Sequence, residues 1–75
     1  MVSLDKINLN EEYQIININS DSFMLRRFLD IGIIEGAIIK KVLISPFKGI
    51  CAYYIMSSTI AIRDKDAKEI MVSYA

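Results

Sequence analysis

Apolar residues recur at helical spacing in one short stretch, residues 21–31, which predicts the only substantial helix of the chain. The apolar residues of this stretch share one face of that helix, and they are Phe23, Met24, Phe28, Leu29 and Ile31. Arg26, Arg27 and Asp30 fall largely on the opposite face. The helix is therefore predicted to be amphipathic, with a charged outer side.

Short polar residues and glycines mark the ends of this helix and the turns near it. Ser20 or Asp21 is expected to cap the N-terminus by accepting a hydrogen bond from a free backbone N–H. Gly32 follows the last periodic residue, where helices commonly end in a left-handed conformation that glycine adopts at little cost. Gly36 is expected to supply a second turn, and Asn10 a left-handed residue in an earlier polar turn.

The other apolar segments are short and rich in β-branched residues, which favours strands over helices. A loop at residues 45–49 separates two of them, because Pro46 cannot donate to a strand ladder. Ser57-Ser58 is expected to form a two-residue hairpin turn. The predicted strands are residues 13–18, 37–44, 50–56, 59–63 and 71–74.

Two short helical turns complete the predicted elements. Leu4 and Ile7 lie three residues apart and are expected to point inward from one turn near the N-terminus. Asp64 is expected to cap a second turn at residues 65–70, with Ala67 facing inward. Short strands at these spacings predict a mainly β fold, a small barrel that leaves few strand edges exposed.

The composition fits one small soluble domain, residues 1–75, with 53% hydrophobic residues. Nine basic and nine acidic residues give a net charge of zero, whereas nucleic-acid binding usually requires a basic face. Lys40-Lys41 is interpreted as solvated surface. No signal-peptide pattern is present at the N-terminus, and the uncharged run at residues 49–62 is shorter than a membrane helix. We expect a cytoplasmic protein that neither binds nucleic acid nor inserts into a membrane.

The chain lacks the side chains of common catalytic and metal sites. It has no His and a single cysteine, Cys51, so a standard zinc site and a two-His-one-carboxylate iron site are excluded. Asp64 and Asp66 are better explained by capping and solvation than by metal binding. Cys51 lies in an apolar run and is expected to be a small buried hydrophobe. The sequence therefore predicts neither an enzyme nor a cofactor.

Residues 27–36, which read R-F-L-D-I-G-I-I-E-G, resemble the R-L-x-(D/E)-(L/M)-G-(L/I)-x-x-G signature of the FeoA family. Three further segments are similar to family patterns: residues 4–7 to its opening L-x-x-L, residues 45–49 to its A-P-x-G loop, and residues 60–72 to its closing pattern. Asn10 stands where the family usually has Gly. FeoA proteins are small bacterial accessory proteins of ferrous iron transport, similar in fold to the C-terminal domain of DtxR-type repressors.

The resemblance implies an SH3-like β-barrel with one α-helix inserted after the first strand and a short helical turn near the C-terminus. It also implies a non-enzymatic role in assisting the ferrous iron permease FeoB through contact with the cytosolic GTP-binding part of that protein. Fold alone does not give this function, since SH3-like barrels carry many unrelated roles. The implied partner is therefore another protein.

Candidate contact residues are the polar side chains of the helix and the aromatic and basic residues of the 45–49 loop. These residues are Arg26, Arg27, Asp30, Phe47 and Lys48. An ordinary solvated helix face is the favoured explanation of the first three, and a Phe47 ring folded back over the barrel mouth is as good an explanation as a partner contact. The residues assigned to the fold itself are Phe28, Leu29, Gly32, Gly36, Pro46, Asp64 and Ala67.

Two other functions remain open at this point. One is an SH3-like regulatory or peptide-binding module related to the repressor domain, although the lack of Trp and the mid-strand tyrosines disfavour a site for proline-rich ligands. The other is a small RNA-binding barrel, which the neutral charge disfavours.

Overall fold

The computed structural model describes residues 1–45 and 49–75, so the predictions for Pro46, Phe47 and Lys48 fall outside the described residues. Within these residues, six strands and two helices follow one another. In order they are β1 (Val2–Ser3), a 3₁₀ turn (Leu4–Lys6), β2 (Glu12–Ile18), α1 (Ser22–Asp30), β3 (Ile38–Ile44), β4 (Ile50–Ile55), β5 (Ser58–Arg63), α2 (Asp64–Ala67) and β6 (Ile70–Tyr74). This confirms the predicted mainly β fold with one inserted helix.

The strands form one antiparallel sheet in the order β1-β6-β2-β3-β4-β5. The register shifts once between Ile15 and Asn17 and once between Lys41 and Leu43, so β2 and β3 each carry a bulge. Bulges bend strands and increase their twist, which curls the sheet around its core. The sheet is not closed by hydrogen bonds between β5 and β1. Instead, α2 follows β5 directly and packs against both the end of that strand and the 3₁₀ turn.

The inner face of the sheet holds a continuous apolar core. Its largest fully buried side chains are Tyr53, Leu4, Ile15, Ile33, Ile39, Ile55, Ile70 and Val72. Leu4 and Ile7 point inward as predicted, and so does Ala67 of α2. Among the residues of α1 only Phe28 is buried. Met24 of the same helix is partly buried and packs against the core, so one aromatic ring and one methionine join α1 to it.

Backbone conformations confirm most of the predicted turns. Asn10 has φ 65°, Gly32 has φ 93° and Gly36 has φ 91°, so all three lie in the left-handed region. The predicted hairpin turn is wrong by one residue. Met56 and Ser57, with φ 51° and 64°, form the turn, and β5 begins with Ser58 paired to Ile55. A two-residue turn with two positive φ values suits the twist of the flanking strands.

Two predictions about charged residues are also wrong. Asp64 is the first residue of α2, while Arg63 occupies the N-cap position with extended φ and ψ and no capping side chain. Lys41 is not solvated surface but is only 5% exposed. It follows Ile39 by two residues in β3, and alternate residues of a strand point to the same face. Its amine reaches past the core and donates to the Asp5 backbone oxygen over 3.1 Å.

Candidate functional site

The helix α1 begins at a well-defined cap. Asp21 has an extended backbone, and its Oδ1 accepts a hydrogen bond from the Met24 backbone N–H over 2.9 Å. The backbone oxygen of Asp21 also accepts from the Leu25 N–H. At the other end, the Ile33 N–H donates to the Phe28 oxygen over 2.8 Å, beyond the left-handed Gly32. These bonds fix both ends of a helix that projects most of its surface outward.

One exposed surface of α1 combines apolar and charged side chains around a shallow depression. We call it the α1 surface, and it consists of Ser22, Leu25, Arg26, Leu29 and Asp30. Leu29, which the sequence assigns to the fold, is 58% exposed and contributes to this surface instead. No described residue forms an ion pair with Arg26 or Asp30. The structure therefore brings two predicted contact residues together with an exposed leucine.

Sequence reasoning missed the apolar part of the α1 surface. The helical stretch contains more apolar residues than one narrow core-facing stripe requires, and that excess was the available signal. Phe28 is buried and Met24 is partly buried against the core, whereas other apolar residues of the helix stay exposed. Phe23, for example, is 70% exposed.

A second surface feature is a cleft of about 340 Å³ on the other side of α1, which we call the α1–β5 cleft. One wall, which we call the α1 wall, consists of Met24, Arg27 and Phe28 of α1 and the C-cap residue Ile31. The other wall consists of Ala61, Ile62 and Arg63 of β5 with Lys65 and Asp66 of α2. Arg27, the third predicted contact residue on α1, thus faces away from the α1 surface. Three cationic side chains and one carboxylate line the cleft.

A third group of polar side chains lies inside the sheet. The Cys51 thiol donates to Asp64 Oδ1 over 3.7 Å, and the Lys41 amine lies 5.9 Å from the centre of the Tyr53 ring. Burial raises the pKa of the Cys51 thiol, and the nearby Asp64 carboxylate adds to this effect, while Lys41 opposes it. A thiol held in its protonated form is a poor nucleophile and a poor metal ligand. This group therefore offers no activated centre.

Within residues 1–45 and 49–75, no three cysteine or carboxylate side chains come together in an arrangement that could hold a metal ion.

Tyr13, Tyr74 and Asn8 all donate to the Glu11 carboxylate. These hydrogen bonds, of which the bond from Tyr74 has the largest effect, lower the pKa of that exposed group. The stacked rings of Tyr13 and Tyr74 tie the end of β6 to β2. This cluster is best explained as a stabilising contact between β2 and β6. No described helix is long and apolar enough to cross a membrane.

The fold and these surfaces define a class of protein: a small curled β domain of the SH3 type, with one projecting helix and exposed features suited to contact with other molecules. The sequence model of the FeoA domain matches residues 2–74. The chain belongs to the FeoA domain family. No curated protein sequence matches the chain significantly.

Solved structures show the same fold at low sequence identity. A FeoA-like protein from Clostridium acetobutylicum superposes with a TM-score of 0.87 at 23% identity, over 97% of this chain and 85% of that chain. FeoA of Stenotrophomonas maltophilia, solved with zinc and described as an SH3 domain protein, superposes with a TM-score of 0.81 at 18% identity. The match covers 97% of this chain and 91% of that chain. A manganese-dependent transcriptional repressor gives 0.85 at 25% identity, and this chain spans 41% of its length. These likenesses confirm the predicted SH3-like fold and its relation to metal-dependent repressors.

Proposed function

We propose that this chain, acting as one domain over residues 1–75, is a non-enzymatic accessory protein of bacterial ferrous iron transport. It acts by binding the cytosolic GTP-binding part of the ferrous iron permease FeoB, and it works in the cytoplasm. The observation that carries the proposal is the α1 surface, where the exposed Leu29 lies beside the charges of Arg26 and Asp30, which no described residue pairs. Membership of the FeoA family supplies the transport context.

The chemistry of the α1 surface suits a protein partner. Burying an exposed leucine side chain against a partner gains about 1.5–3 kcal/mol from removal of apolar area from water. Charges beside an apolar anchor add orientation and rejection of wrong partners more than affinity. Arg26 can bind a partner carboxylate through two parallel N–H donors, and Asp30 can accept from a partner cation. One helix face thus offers an anchor and two charges of opposite sign.

A related protein supports the same accessory role. FeoA of Stenotrophomonas maltophilia is described as a factor suggested to activate bacterial ferrous iron transport. The described residues of this chain show no metal-holding cluster, which favours a role through contact over a role in carrying iron. Covalent catalysis requires an activated nucleophile. Cys51, the one thiol of the chain, is not activated, because burial raises its pKa.

The experiment is an amide NMR titration of the labelled chain with the cytosolic domain of its cognate ferrous iron permease. We expect shifts concentrated on Ser22, Leu25, Arg26, Leu29 and Asp30. Leu29→Ser should weaken binding by about tenfold or more, since it removes the anchor. Phe23→Ser is the matched control, because Phe23 is exposed on the same helix but lies outside the α1 surface.

Two outcomes would overturn the proposal. One is the absence of shifts at high concentrations of the permease domain. The other is equal weakening by Leu29→Ser and Phe23→Ser, which would indicate a general effect on the helix. A charge reversal at Arg26 that is rescued by the opposite reversal on the partner would identify the contact directly.

A second candidate function is an SH3-like regulatory module, favoured by the likeness to the manganese-dependent repressor at 25% identity. Such a domain would bind a segment of a regulatory protein rather than the permease. The same titration separates the two functions, since a regulatory module gives no shifts with the permease domain.

A further inference from the structure

The strand β5 has one hydrogen-bonding edge that no other strand of the described residues covers. It pairs with β4 alone, in a register that joins Ile50 to Arg63 and Ile55 to Ser58. The Asp64 N–H donates to the Gly49 oxygen over 2.7 Å, which continues this register by one pair. In an antiparallel ladder, every second pair exchanges both hydrogen bonds, and the pairs between them point away from each other.

This alternation decides which backbone groups of β5 are free. Counting in twos from the bond between Asp64 and Gly49, Ile62 and Ile60 direct their N–H and C=O groups toward β4. Thr59 and Ala61 direct theirs toward the open edge. Among the described residues, no backbone group across the open edge forms a hydrogen bond with Thr59 or Ala61. An uncovered edge of this kind is a template for pairing with another chain.

The open edge borders the α1–β5 cleft. Ala61 belongs to the cleft wall, and Met24 and Ile31 supply apolar surface on the α1 wall opposite. The volume of about 340 Å³ lies at the lower end of the range for ligand sites. An added strand would run about 4.8 Å from β5 and place alternate side chains toward α1. The cleft therefore has a place for both the backbone and the side chains of an extended segment.

Charge decides what kind of segment fits. Arg27, Arg63 and Lys65 line the cleft against a single carboxylate, Asp66, although the whole chain is neutral. None of the three cations forms an ion pair with a described residue. A charged side chain without a partner beside a concave apolar wall attracts the opposite charge. The cleft is thus complementary to an acidic segment with apolar side chains between its charges.

We propose that the open edge of β5 and the α1–β5 cleft bind an extended acidic segment of a partner protein, which adds to the sheet as a further strand. Backbone bonds to Thr59 and Ala61 supply the pairing, and Met24 and Ile31 receive an apolar side chain of the segment. Arg27, Arg63 and Lys65 select acidic segments over basic ones. This site is separate from the α1 surface, and it rests on the proposed function only in that the occupant is a protein.

The test uses synthetic peptides, so it is independent of the permease. The probes are acetyl-Glu-Thr-Val-Thr-Glu-Thr-amide, whose Glu and Val side chains share one face, and its lysine analogue, acetyl-Lys-Thr-Val-Thr-Lys-Thr-amide, titrated into the labelled chain. With the glutamate peptide we expect downfield amide proton shifts and slowed hydrogen exchange at Thr59 and Ala61, and little change at Ile60 and Ile62. The lysine peptide should bind at least about tenfold more weakly.

Matched variants separate strand pairing from general contact. Ala61→Pro removes the N–H that faces the open edge and no donor to β4, and proline is tolerated on strand edges. It should abolish peptide binding, whereas Ala61→Val keeps the N–H and should retain binding. Arg27→Glu should weaken the glutamate peptide by about tenfold and reduce the preference over the lysine peptide.

Methylation of the peptide nitrogens provides a further check. Methyl groups on the nitrogens of the two Glu and the Val, or on all three Thr nitrogens, block donors on one edge of the peptide only. One of the two methylated peptides should lose binding, and survival of both would exclude strand addition. Absence of shifts at β5 with every peptide, or equal binding of both charge types, would also overturn the proposal.

Self-association is the remaining competing outcome. Protection of the Thr59 and Ala61 amides that grows with protein concentration in the absence of peptide would assign the edge to a second copy of this chain and overturn the proposal. Failure of the permease titration together with peptide binding at β5 would reject the proposed function and keep this inference. The reverse pair of results would do the opposite.

Discussion

Met56 lies over Gly32, with its Cγ 3.5 Å from the position that a Cβ on Gly32 would occupy. Both residues have positive φ, 93° at Gly32 and 51° at Met56. The left-handed residue after α1 therefore packs against the left-handed first residue of the β4–β5 turn. Two segments that are distant in the sequence fix the C-terminal end of the helix against the sheet.

Replacing Gly32 with valine should destabilise the protein strongly. A β-branched residue resists positive φ, and such a backbone conformation costs on the order of 1–3 kcal/mol for a residue that does not favour it. For a domain of this size, each kcal/mol lowers the melting temperature by about 4–8 °C. Thermal unfolding followed by circular dichroism measures the change. An unchanged melting temperature would contradict the role of Gly32.

Gly36 is the matched control for the contact with Met56. It has nearly the same φ, 91°, but a Cβ added there would meet nothing within 4 Å. Gly36→Ala therefore measures the conformational cost alone. Because a Cβ on Gly32 would make an ordinary contact with Met56 and no clash, Gly32→Ala should cost about the same as Gly36→Ala. A much larger cost at Gly32 would show that Met56 cannot move aside.

Phe28 and Leu29 are neighbours in α1 but should respond differently to truncation. Phe28 is only 3% exposed, and replacing such a buried aromatic with alanine costs about 3–5 kcal/mol. Leu29→Ala should change the free energy of unfolding by about 0.5 kcal/mol or less, because Leu29 lies outside the core. Urea unfolding of both variants tests this. Equal losses would mean that Leu29 supports the fold after all.

Local sequence signals predicted the turns and strands because those features depend on few residues. Glycine after a helical stretch, asparagine in a polar turn and β-branched runs each act through the conformation of their own backbone. Gly32, Gly36 and Asn10 have the conformations expected. The error of one residue at Met56-Ser57 arose because pairing of Ile55 with Ser58, rather than residue type, sets where the turn lies.

The candidate site was harder to predict because it depends on which residues remain outside the core. Periodicity shows that α1 has an apolar side, but only Phe28 is buried, with Met24 partly buried beside it, and Leu29 stays exposed. The open edge of β5 follows from the order of strands in the sheet, which no local pattern reveals. Lys41 was misread because a charged pair indicates surface more strongly than strand alternation indicates burial.

Raising the pH should destabilise the protein through Tyr53. Burial raises the pKa of this fully buried tyrosine, and nearby acidic groups add to the effect. An unfolded tyrosine ionises near pH 10, so the stabilising contribution is fully present below that pH and is lost as the pH rises further. Tyr53→Phe should reduce the fall in the free energy of unfolding above about pH 10. Urea unfolding at pH 7 to 11 measures it.

The same variant has a second expected effect at neutral pH. The Tyr53 hydroxyl is buried without a hydrogen-bond partner among the described residues, and an unsatisfied buried polar group is costly. Tyr53→Phe should therefore be neutral or stabilising at pH 7. Tyr13 and Tyr74 also have raised pKa values, so part of the alkaline slope should remain. A loss of more than about 1 kcal/mol at pH 7 would mean that the hydroxyl has a partner.

Cys51 should contribute to the alkaline fall at a lower pH than Tyr53. Burial raises the pKa of its thiol, whereas the thiol of an unfolded chain ionises near pH 8.5. The stability that it contributes is fully present below about pH 8.5 and is lost as the pH rises. Cys51→Ala should remove the decrease in the free energy of unfolding between about pH 8.5 and 10. The steeper decrease at higher pH should remain. An unchanged slope in that window would contradict this.

Removing the cap of α1 should open the helix locally rather than unfold the protein. Asp21→Ala deletes the acceptor for the Met24 N–H, a loss of about 0.5–2 kcal/mol at helix N-termini. Because α1 contacts the core through few side chains, with Phe28 its one buried residue, this loss should appear as faster hydrogen exchange in α1, while the amides of β2 to β4 exchange as before. Asp21→Ser keeps a capping oxygen and should restore protection. Equal acceleration in α1 and the sheet would show that the helix opens only with the whole fold.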